Sequence, residues 1–297
     1  MTAVQLSGVH KSYGDVHAVN DLDLVVTEGQ VFGLLGPNGA GKTTAIRMIM
    51  DIIKPDSGSI SILGQPNSGR LQDQVGYLPE ERGLYKKMVV LEAIVFFAEL
   101  KGISNKKSPP KAIEWLTRLE LDKWKDHKIE ELSKGMQQKL QFICSVIHQP
   151  RLLILDEPFS GLDPINTNLL KDVMMELKEN GVTLILSTHL MEQAEKLCDS
   201  ICLINNGKSV IQGQLADVKR KFGINRIKMR YDGDAAFLDD KSLVAGFDDY
   251  GQYVEIVPAE KVKPQLILER AIRQVTISHF EISEPSLNEI FINAVKN

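Results

Sequence analysis

The sequence has few cysteines, no long apolar run and no strong excess of one charge, and each scarcity excludes a class of protein. Only three of its 297 residues are cysteines. Their odd number and their spacing fit neither a disulfide framework nor a zinc site. We therefore expect reduced, buried thiols in a cytosolic protein. They are Cys144, Cys198 and Cys202.

Two further classes are disfavoured in the same way. No apolar run approaches the roughly 18 residues that a bilayer-crossing helix needs, and the N-terminus lacks the basic and apolar segments of a signal peptide. The net charge of −4 gives no global electrostatic reason to bind nucleic acid. We expect no nucleic-acid partner, and any membrane association should come through another protein.

What is present is the composition of a soluble globular protein. The 297 residues are 43% hydrophobic and 25% charged, enough for one large domain and a smaller one. We place the large domain at residues 1–222 and an accessory α+β domain at 223–297. Residues 86–149 show the three-to-four-residue apolar spacing of a helical subdomain. Within it, residues 102–110 form the expected linker between two helices.

One glycine-rich stretch after an apolar strand matches the phosphate-binding pattern G-x-x-x-x-G-K-[ST] at every fixed position. Its glycines allow a tight turn with inward backbone N–H groups, and the following helix adds its positive N-terminal end. The lysine would reach polyphosphate, and the Thr43 hydroxyl would hold Mg²⁺. An ordinary glycine-rich turn is the alternative. The stretch is Gly36-Pro37-Asn38-Gly39-Ala40-Gly41-Lys42-Thr43-Thr44.

Two predicted strands end in carboxylates. A continuously apolar strand, typical of a parallel strand covered on both faces, runs into Asp156 and Glu157 before Pro158 stops it. Because such strand ends line the ligand crevice, we expect both carboxylates beside the phosphate loop. The strand at 75–78 leads similarly to Glu80. Incidental acidic turns or a surface charge cluster are the alternatives.

Three single residues have both ordinary and functional interpretations. Tyr13 is either a half-buried packing residue or a platform that stacks on a purine ring. Ser133 is placed to cap a helix, and its neighbours then form either a solvated helix face or a ligand contact. His189 follows a buried strand, a position where a histidine is usually structural or exposed.

Taken together, the order and approximate spacing of these motifs resemble the ATP-binding subunits of ABC transporters over about residues 1–220. The resemblance implies an α/β fold: a P-loop NTPase (RecA-like) core with an N-terminal antiparallel β subdomain and a helical insert, followed by the small α+β domain. Residues 76–85 and the C-terminal segment resemble the exporter branch that includes sodium-extrusion and drug- or peptide-efflux ATPases.

The same resemblance implies ATP and Mg²⁺ as cofactors and assigns roles to particular residues. Tyr13 would stack on adenine, Glu157 would be the general base, and His189 would contact the γ-phosphate. Thr43, Glu80 and Asp156 would serve the metal, and Asp163 would belong to the loop at the subunit interface. The signature that meets the ATP of an opposite subunit would be Ser133-Lys134-Gly135-Met136, and the phosphate loop would be Gly36 to Thr44 with Lys42 as a catalytic cation.

Two departures from the family pattern stand out. The signature carries Lys134 and Met136 where glycine and glutamine are commonest, which leaves Ser133 and Gly135 to make the phosphate contacts. Glu80 replaces the usual glutamine. Its carboxylate adds negative charge near Asp156 and Glu157, so the dependence on Mg²⁺ should be stronger.

The resemblance implies a head-to-tail dimer, of two copies or with a related ATPase subunit, that powers a separate transmembrane permease. The expected location is the cytoplasmic face of the cell membrane. One rival is a soluble ABC-type ATPase acting on ribosomes or nucleic acid. Such proteins usually have two cassettes on one chain or a long coiled-coil insert, which this sequence lacks. The other rival is a regulatory module that holds ATP without hydrolysing it.

Overall fold

The computed structural model describes residues 1–67, 69–81, 83–222 and 226–296. The chain divides into two compact units, Met1–Leu215 and Ala216–Asn297. The domain boundary expected from the sequence adjoins residues 223–225, which lie outside the described ranges. No helix in the described ranges is both long enough and apolar enough to cross a membrane.

The first unit contains two sheets and a set of helices. Its strands are β1 Thr2–Tyr13, β2 Val16–Thr27, β3 Val31–Leu35, β4 Ser57–Ile62, β5 Gln65–Pro66, β6 Val75–Leu78, β7 Leu152–Asp156, β8 Thr183–Thr188, β9 Ser200–Asn205 and β10 Lys208–Gln214. Its helices are α1 Lys42–Ile49, α2 Val90–Leu100, α3 Ser108–Arg118, α4 Lys134–Val146, α5 Pro164–Glu179 and α6 Met191–Leu197. Helix α7, Leu215–Phe222, begins at the last residue of this unit.

The larger sheet has the strand order β10-β9-β3-β8-β7-β6. All pairs are parallel except β10 with β9. Every residue of β3, β7 and β8 is buried, as expected for parallel strands that are covered on both faces. Their carboxyl ends therefore meet at one edge of the sheet, and this edge carries the functional residues.

The smaller sheet is antiparallel, with the order β2-β1-β4-β5. Helix α1 contributes Ile46, Met48 and Ile49 to a hydrophobic cluster that also contains residues of both sheets. Phe32 and Ile185 join it from the parallel sheet, and apolar side chains of β1 and β2 join it from the other. The helix that follows the phosphate loop is thereby fixed between two layers. This arrangement confirms the expected α/β fold.

The helical insert consists of α2, α3 and α4, which contact one another. The linker expected at residues 102–110 is shorter than the sequence suggested, because α3 already begins at Ser108 with proline in its first turn. Proline is tolerated there because the first N–H groups of a helix have no intrahelical partner. The two consecutive prolines therefore start a helix that we had expected them to delay.

The second unit is an antiparallel sheet with a packed helix. Its elements are β11 Arg226–Asp232, β12 Val244–Asp249, β13 Val254–Pro258, α8 Pro264–Ile272, β14 Thr276–Ser283 and α9 Leu287–Lys296, with the strand order β12-β13-β11-β14. Strand β12 was not expected, since Gly246 and two aspartates weaken its strand pattern. Pairing with β13 overrides that local preference.

Each unit encloses its own hydrophobic cluster, so we propose that the two fold independently. A chain ending at residue 222 should unfold cooperatively and retain nucleotide binding. Circular dichroism during heating and an ATP-binding titration measure both properties. Loss of soluble protein would show that the boundary is misplaced or that the two parts need each other to fold.

Candidate functional site

The phosphate loop joins β3 to α1 and is held tightly by its neighbours. A Cβ atom at Gly36 would lie 2.2 Å from the carbonyl oxygen of Ile204, and one at Gly41 would lie 2.2 Å from that of Ala18. Gly41 also has φ of 105°, which residues with side chains rarely adopt. Glycine is required at both positions because main chain from β9 and β2 approaches the loop on either side.

Hydrogen bonds tie this loop to the turn between β9 and β10. The N–H of Gly207 donates to the Ala40 carbonyl at 2.9 Å, and the N–H of Asn20 donates to the Gly207 carbonyl at 2.9 Å. Asn206 and Gly207 have positive φ values of 48° and 75°, as in the tight turns of β-hairpins. The turn places Asn206 in the wall of the site.

Lys42 is buried at the first position of α1. Only 6% of it is exposed, and its ammonium donates to the carbonyl oxygens of Gly36 at 2.8 Å and Pro37 at 3.0 Å. Burial lowers the pKa of Lys42 below its usual value, and the nearby carboxylates of Glu157, Asp156 and Glu80 oppose that effect. A positive charge is therefore fixed inside the loop, where it can meet phosphate oxygens.

Thr43 and Asp156 lie together at the carboxyl end of β7. The Thr43 hydroxyl donates to Asp156 Oδ2 at 3.0 Å. The second oxygen, Oδ1, is buried and has no hydrogen-bond partner in the part of the chain that the structure describes. Burial raises the pKa of Asp156, against the influence of neighbouring hydroxyls and of Lys42.

This oxygen pair fits Mg²⁺. The ion prefers hard oxygen ligands, is bound through one or two carboxylates, and takes its other ligands from water and substrate phosphates. The described residues contain no group of three or more histidine, cysteine, aspartate or glutamate side chains suited to a metal ion. In a site of this kind Thr43 and Asp156 would hold Mg²⁺ together with a phosphate, and Glu80 lines the same cavity.

Glu157 follows β7 in a left-handed conformation, with φ of 48°. Its carboxylate accepts hydrogen bonds from the His189 N–H at 3.0 Å, from His189 Nδ1 at 2.7 Å and from the Thr188 hydroxyl at 3.0 Å. Only 12% of the Glu157 side chain is exposed, against 46% of the His189 side chain. The ends of β7 and β8 thus bring together a carboxylate and a histidine that are 32 residues apart.

Lys42, Thr43, Asp156 and Glu157 line a cavity of about 510 Å³, whereas His189 does not line it and reaches it only through Glu157. The phosphate loop, Glu80, Asp156 and Glu157 line it as the sequence led us to expect. Four lining residues were not anticipated: Val16, His17, Ala18 and Asn206. The Asn205-Asn206-Gly207 turn was recognisable from the sequence, but no local signal shows that it reaches the phosphate loop.

Tyr13 lies at the rim of this region. The residue is 51% exposed and does not line the cavity, but its partner across the β1–β2 pair, Val16, does. The Lys11 ammonium lies 5.7 Å from the centre of the Tyr13 ring. An exposed ring beside the cavity is consistent with the expected stacking role.

The signature residues lie elsewhere on the same chain. Ser133 caps α4 by accepting a hydrogen bond from the Met136 N–H at 3.2 Å. A Cβ at Gly135 would lie 3.4 Å from the Gly161 carbonyl oxygen, so the start of α4 lies against the loop that leads to Asp163. Asp163 in turn caps α5 through the Asn166 N–H at 2.9 Å. Neither Asp163 nor residues 133–136 line the cavity.

Comparison with known proteins matches two family profiles to this chain. The family profile described as ABC transporter matches residues 19–160. A second, described as ATP-binding protein DrrA1-3-like, C-terminal domain, matches residues 213–295.

Relatives match over most of their length. The Uncharacterized ABC transporter ATP-binding protein YhaQ of Bacillus subtilis is 44% identical, covering 97% of this chain and 96% of its own. The Nod factor export ATP-binding protein I of Sinorhizobium fredii is 34% identical, covering 86% of this chain and 74% of its own. A solved ATP-binding subunit of an ABC transporter superposes with a TM-score of 0.69 at 33% identity, covering 74% of this chain and 93% of that one.

Replacing Asp156 tests the metal assignment. Asp156→Asn removes a buried negative charge, so the melting temperature without nucleotide should stay equal or rise. At ATP concentrations near 100 Kd, bound nucleotide should stabilise the wild type by about 2.7 kcal/mol. Mg²⁺ should increase the stabilisation by ATP in the wild type but not in the variant. Thermal shift with ATP, with and without EDTA, measures this, and exposed Asp122→Asn serves as control. If Mg²⁺ increased the stabilisation by ATP equally in the wild type and in Asp156→Asn, Asp156 would be excluded as a ligand.

Proposed function

The chain belongs to the ABC transporter family of ATP-binding proteins, and we propose that it is the ATP-hydrolysing subunit of an exporter with a separate transmembrane permease. One arrangement carries the proposal. The phosphate loop, a buried lysine, the Thr43–Asp156 pair and the Glu157–His189 pair all lie at one edge of the parallel sheet. A carboxylate is thereby available to a water molecule next to the place where phosphate would bind.

Binding would depend on the loop and on Lys42. The backbone N–H groups at the start of α1 and the Lys42 ammonium would hold the β- and γ-phosphates. Thr43, Asp156 and Glu80 would hold Mg²⁺. When bound, the ion neutralises the charge of the phosphates.

Hydrolysis would depend on Glu157. Its carboxylate would orient a water molecule and accept a proton while the water oxygen bonds to the γ-phosphorus. The bond from that phosphorus to the bridging oxygen breaks, leaving ADP and inorganic phosphate. His189 holds Glu157 in place through two hydrogen bonds, and its half-exposed ring would turn to the γ-phosphate when ATP binds. Lys42 would stabilise the developing charge.

A second subunit would complete the site. The backbone N–H groups at the start of α4 would bind an anion, as helix N-termini do. None of residues 133–136 lines the cavity of the same chain, so the anion would have to come from elsewhere. In a head-to-tail pair, Ser133 and Gly135 of one protomer would meet the γ-phosphate bound by the other. Lys134, Met136 and Asp163 would lie at that interface.

The first helix of the insert and the segment before it would offer a surface for the permease. Tyr85 and Phe96 are exposed by 59% and 38%, and their rings meet edge to face with centres 6.1 Å apart. Leu100, on the same helix as Phe96, is 63% exposed. An exposed aromatic pair beside an aliphatic side chain is typical of a protein interface. Docking there would keep the protein at the cytoplasmic face of the membrane. The second unit would be an accessory domain.

Replacing Glu157 should impair hydrolysis, whereas replacing Lys42 should impair ATP binding. Glu157→Gln should bind ATP but hydrolyse it roughly 100-fold or more slowly, since it lacks the proton acceptor. Lys42→Ala should lose productive ATP binding. Phosphate release and equilibrium binding with labelled ATP separate the two effects. Glu281→Gln, which removes a carboxylate from another histidine–glutamate pair, is the matched control. Near-normal turnover by Glu157→Gln would exclude it as the general base.

ATP should also hold the dimer together. With hydrolysis blocked by Glu157→Gln, ATP should shift the protein from monomer to dimer in sedimentation, whereas ADP should not because it lacks the γ-phosphate. Adding Ser133→Arg should abolish the shift and spare nucleotide binding. Ser104→Arg, on an exposed loop of the same insert, should have no effect. A Ser133→Arg protein that still dimerises with ATP would contradict the head-to-tail arrangement.

A further inference from the structure

A buried glutamine of α4 holds the loop that carries Glu80. Gln141 is 5% exposed, and its Nε2 donates to the carbonyl oxygens of Pro79 at 3.3 Å and Glu81 at 3.2 Å. These two carbonyls stand on either side of Glu80. One carboxamide has two N–H donors, so a single side chain can fix both peptide groups at once.

A second glutamine does the same for the neighbouring loop. Gln138 is 2% exposed, and its Nε2 donates to the carbonyl oxygen of Pro158 at 3.0 Å. Pro158 directly follows Glu157. Residues three apart lie on the same face of a helix, so this face of α4 holds the loops of both Glu80 and Glu157.

The chemistry of Gln141 indicates that it positions a loop rather than stabilises the fold. Its Oε1 atom is buried and has no hydrogen-bond partner within the described ranges. Such an acceptor costs free energy that an apolar side chain of similar volume would not. The presence of a carboxamide here is therefore explained by the two carbonyl groups, of Pro79 and Glu81, to which its nitrogen donates.

We propose that Gln141 is a positioning residue that fixes the direction in which Glu80 faces the phosphate and metal cavity. The proposal rests on the proposed function, in which Glu80 acts on Mg²⁺. Helix α4 begins next to Ser133, and the eight residues from there to Gln141 span about 12 Å of helix. A partner's ATP that contacts the start of α4 would thus act on the same rigid element that holds Glu80.

The test is a double-mutant cycle read through the Mg²⁺ dependence of two signals, the rate of hydrolysis and the thermal shift of the protein with ATP. Glu80→Gln removes one of the carboxylates around the cavity and should raise the Mg²⁺ concentration needed for the half-maximal signal, because a carboxylate attracts the cation. Gln141→Met keeps the side-chain volume but removes the donor. It should shift that concentration in the same direction by roughly tenfold, the lower end of the range for outer-shell partners of metal ligands. The double variant should match Glu80→Gln alone.

Two control variants distinguish a change in the position of Glu80 from a general loss of stability. Asn67→Leu removes a carboxamide that donates to the carbonyls of Met48 at 2.8 Å and Ile49 at 3.0 Å, away from the cavity. It should leave the Mg²⁺ titration unchanged. Gln138→Met should lower kcat through the Glu157 loop without moving the Mg²⁺ midpoint. Melting temperatures of all variants show whether each protein is folded at the assay temperature.

The outcomes are distinct. An unchanged midpoint in folded Gln141→Met, or a further shift on adding Gln141→Met to Glu80→Gln, would overturn the positioning role while ATP hydrolysis by the wild type stands. An unchanged midpoint in Glu80→Gln would remove Glu80 from the metal site and the proposal with it. Wild-type protein that releases no phosphate would instead refute the proposed function itself.

Discussion

The parallel pairing of β3, β7 and β8 is the constraint on which the site depends. Leu35 pairs with Thr188 and Asp156 with Ser187, so three strand ends finish at nearly the same height. The phosphate loop, the acidic pair and His189 begin where those strands stop. A shift of register by one residue would turn alternate side chains to the other face and separate the groups.

The charges gathered at this edge are held at some cost to the fold. Burial lowers the pKa of Lys42 and raises that of Asp156, so each charged form is disfavoured by its surroundings. Mutual attraction and hydrogen bonds offset part of that cost. The buried Oδ1 of Asp156 has no hydrogen-bond partner among the described residues, so the compensation there is incomplete. Such incomplete compensation is expected where a site is built to receive Mg²⁺ and phosphate.

Helix α4 connects the parts of the site that lie on different surfaces. Its first turn faces outward with Ser133 as cap, and Gly135 lies against the loop that leads to Asp163. Further along, Gln138 and Gln141 reach the two loops around the cavity. One rigid helix thus links the surface that we propose for a second subunit to the loops that carry Glu80 and Glu157.

The sequence by itself determined the groups whose chemistry is local. The phosphate loop, the Asp156–Glu157 pair and the Ser133 cap each depend on neighbouring residues: glycines that permit a turn, an apolar strand, or a hydroxyl at a helix start. The fold class followed from the same patterns. Expectations from local pattern failed where α3 began at Ser108, ahead of Pro109 and Pro110, and where Gly246 joined a strand.

Only the tertiary structure decided which distant residues complete the site. Val16, His17 and Ala18 line the cavity because β2 passes beside the phosphate loop, and Asn206 does so because a hairpin turn bonds to Ala40. Gln141 has no motif of its own, and its role appears only where α4 packs against the Glu80 loop. Such contacts depend on strand order and helix packing between segments far apart in the chain, which no local pattern of residue types encodes.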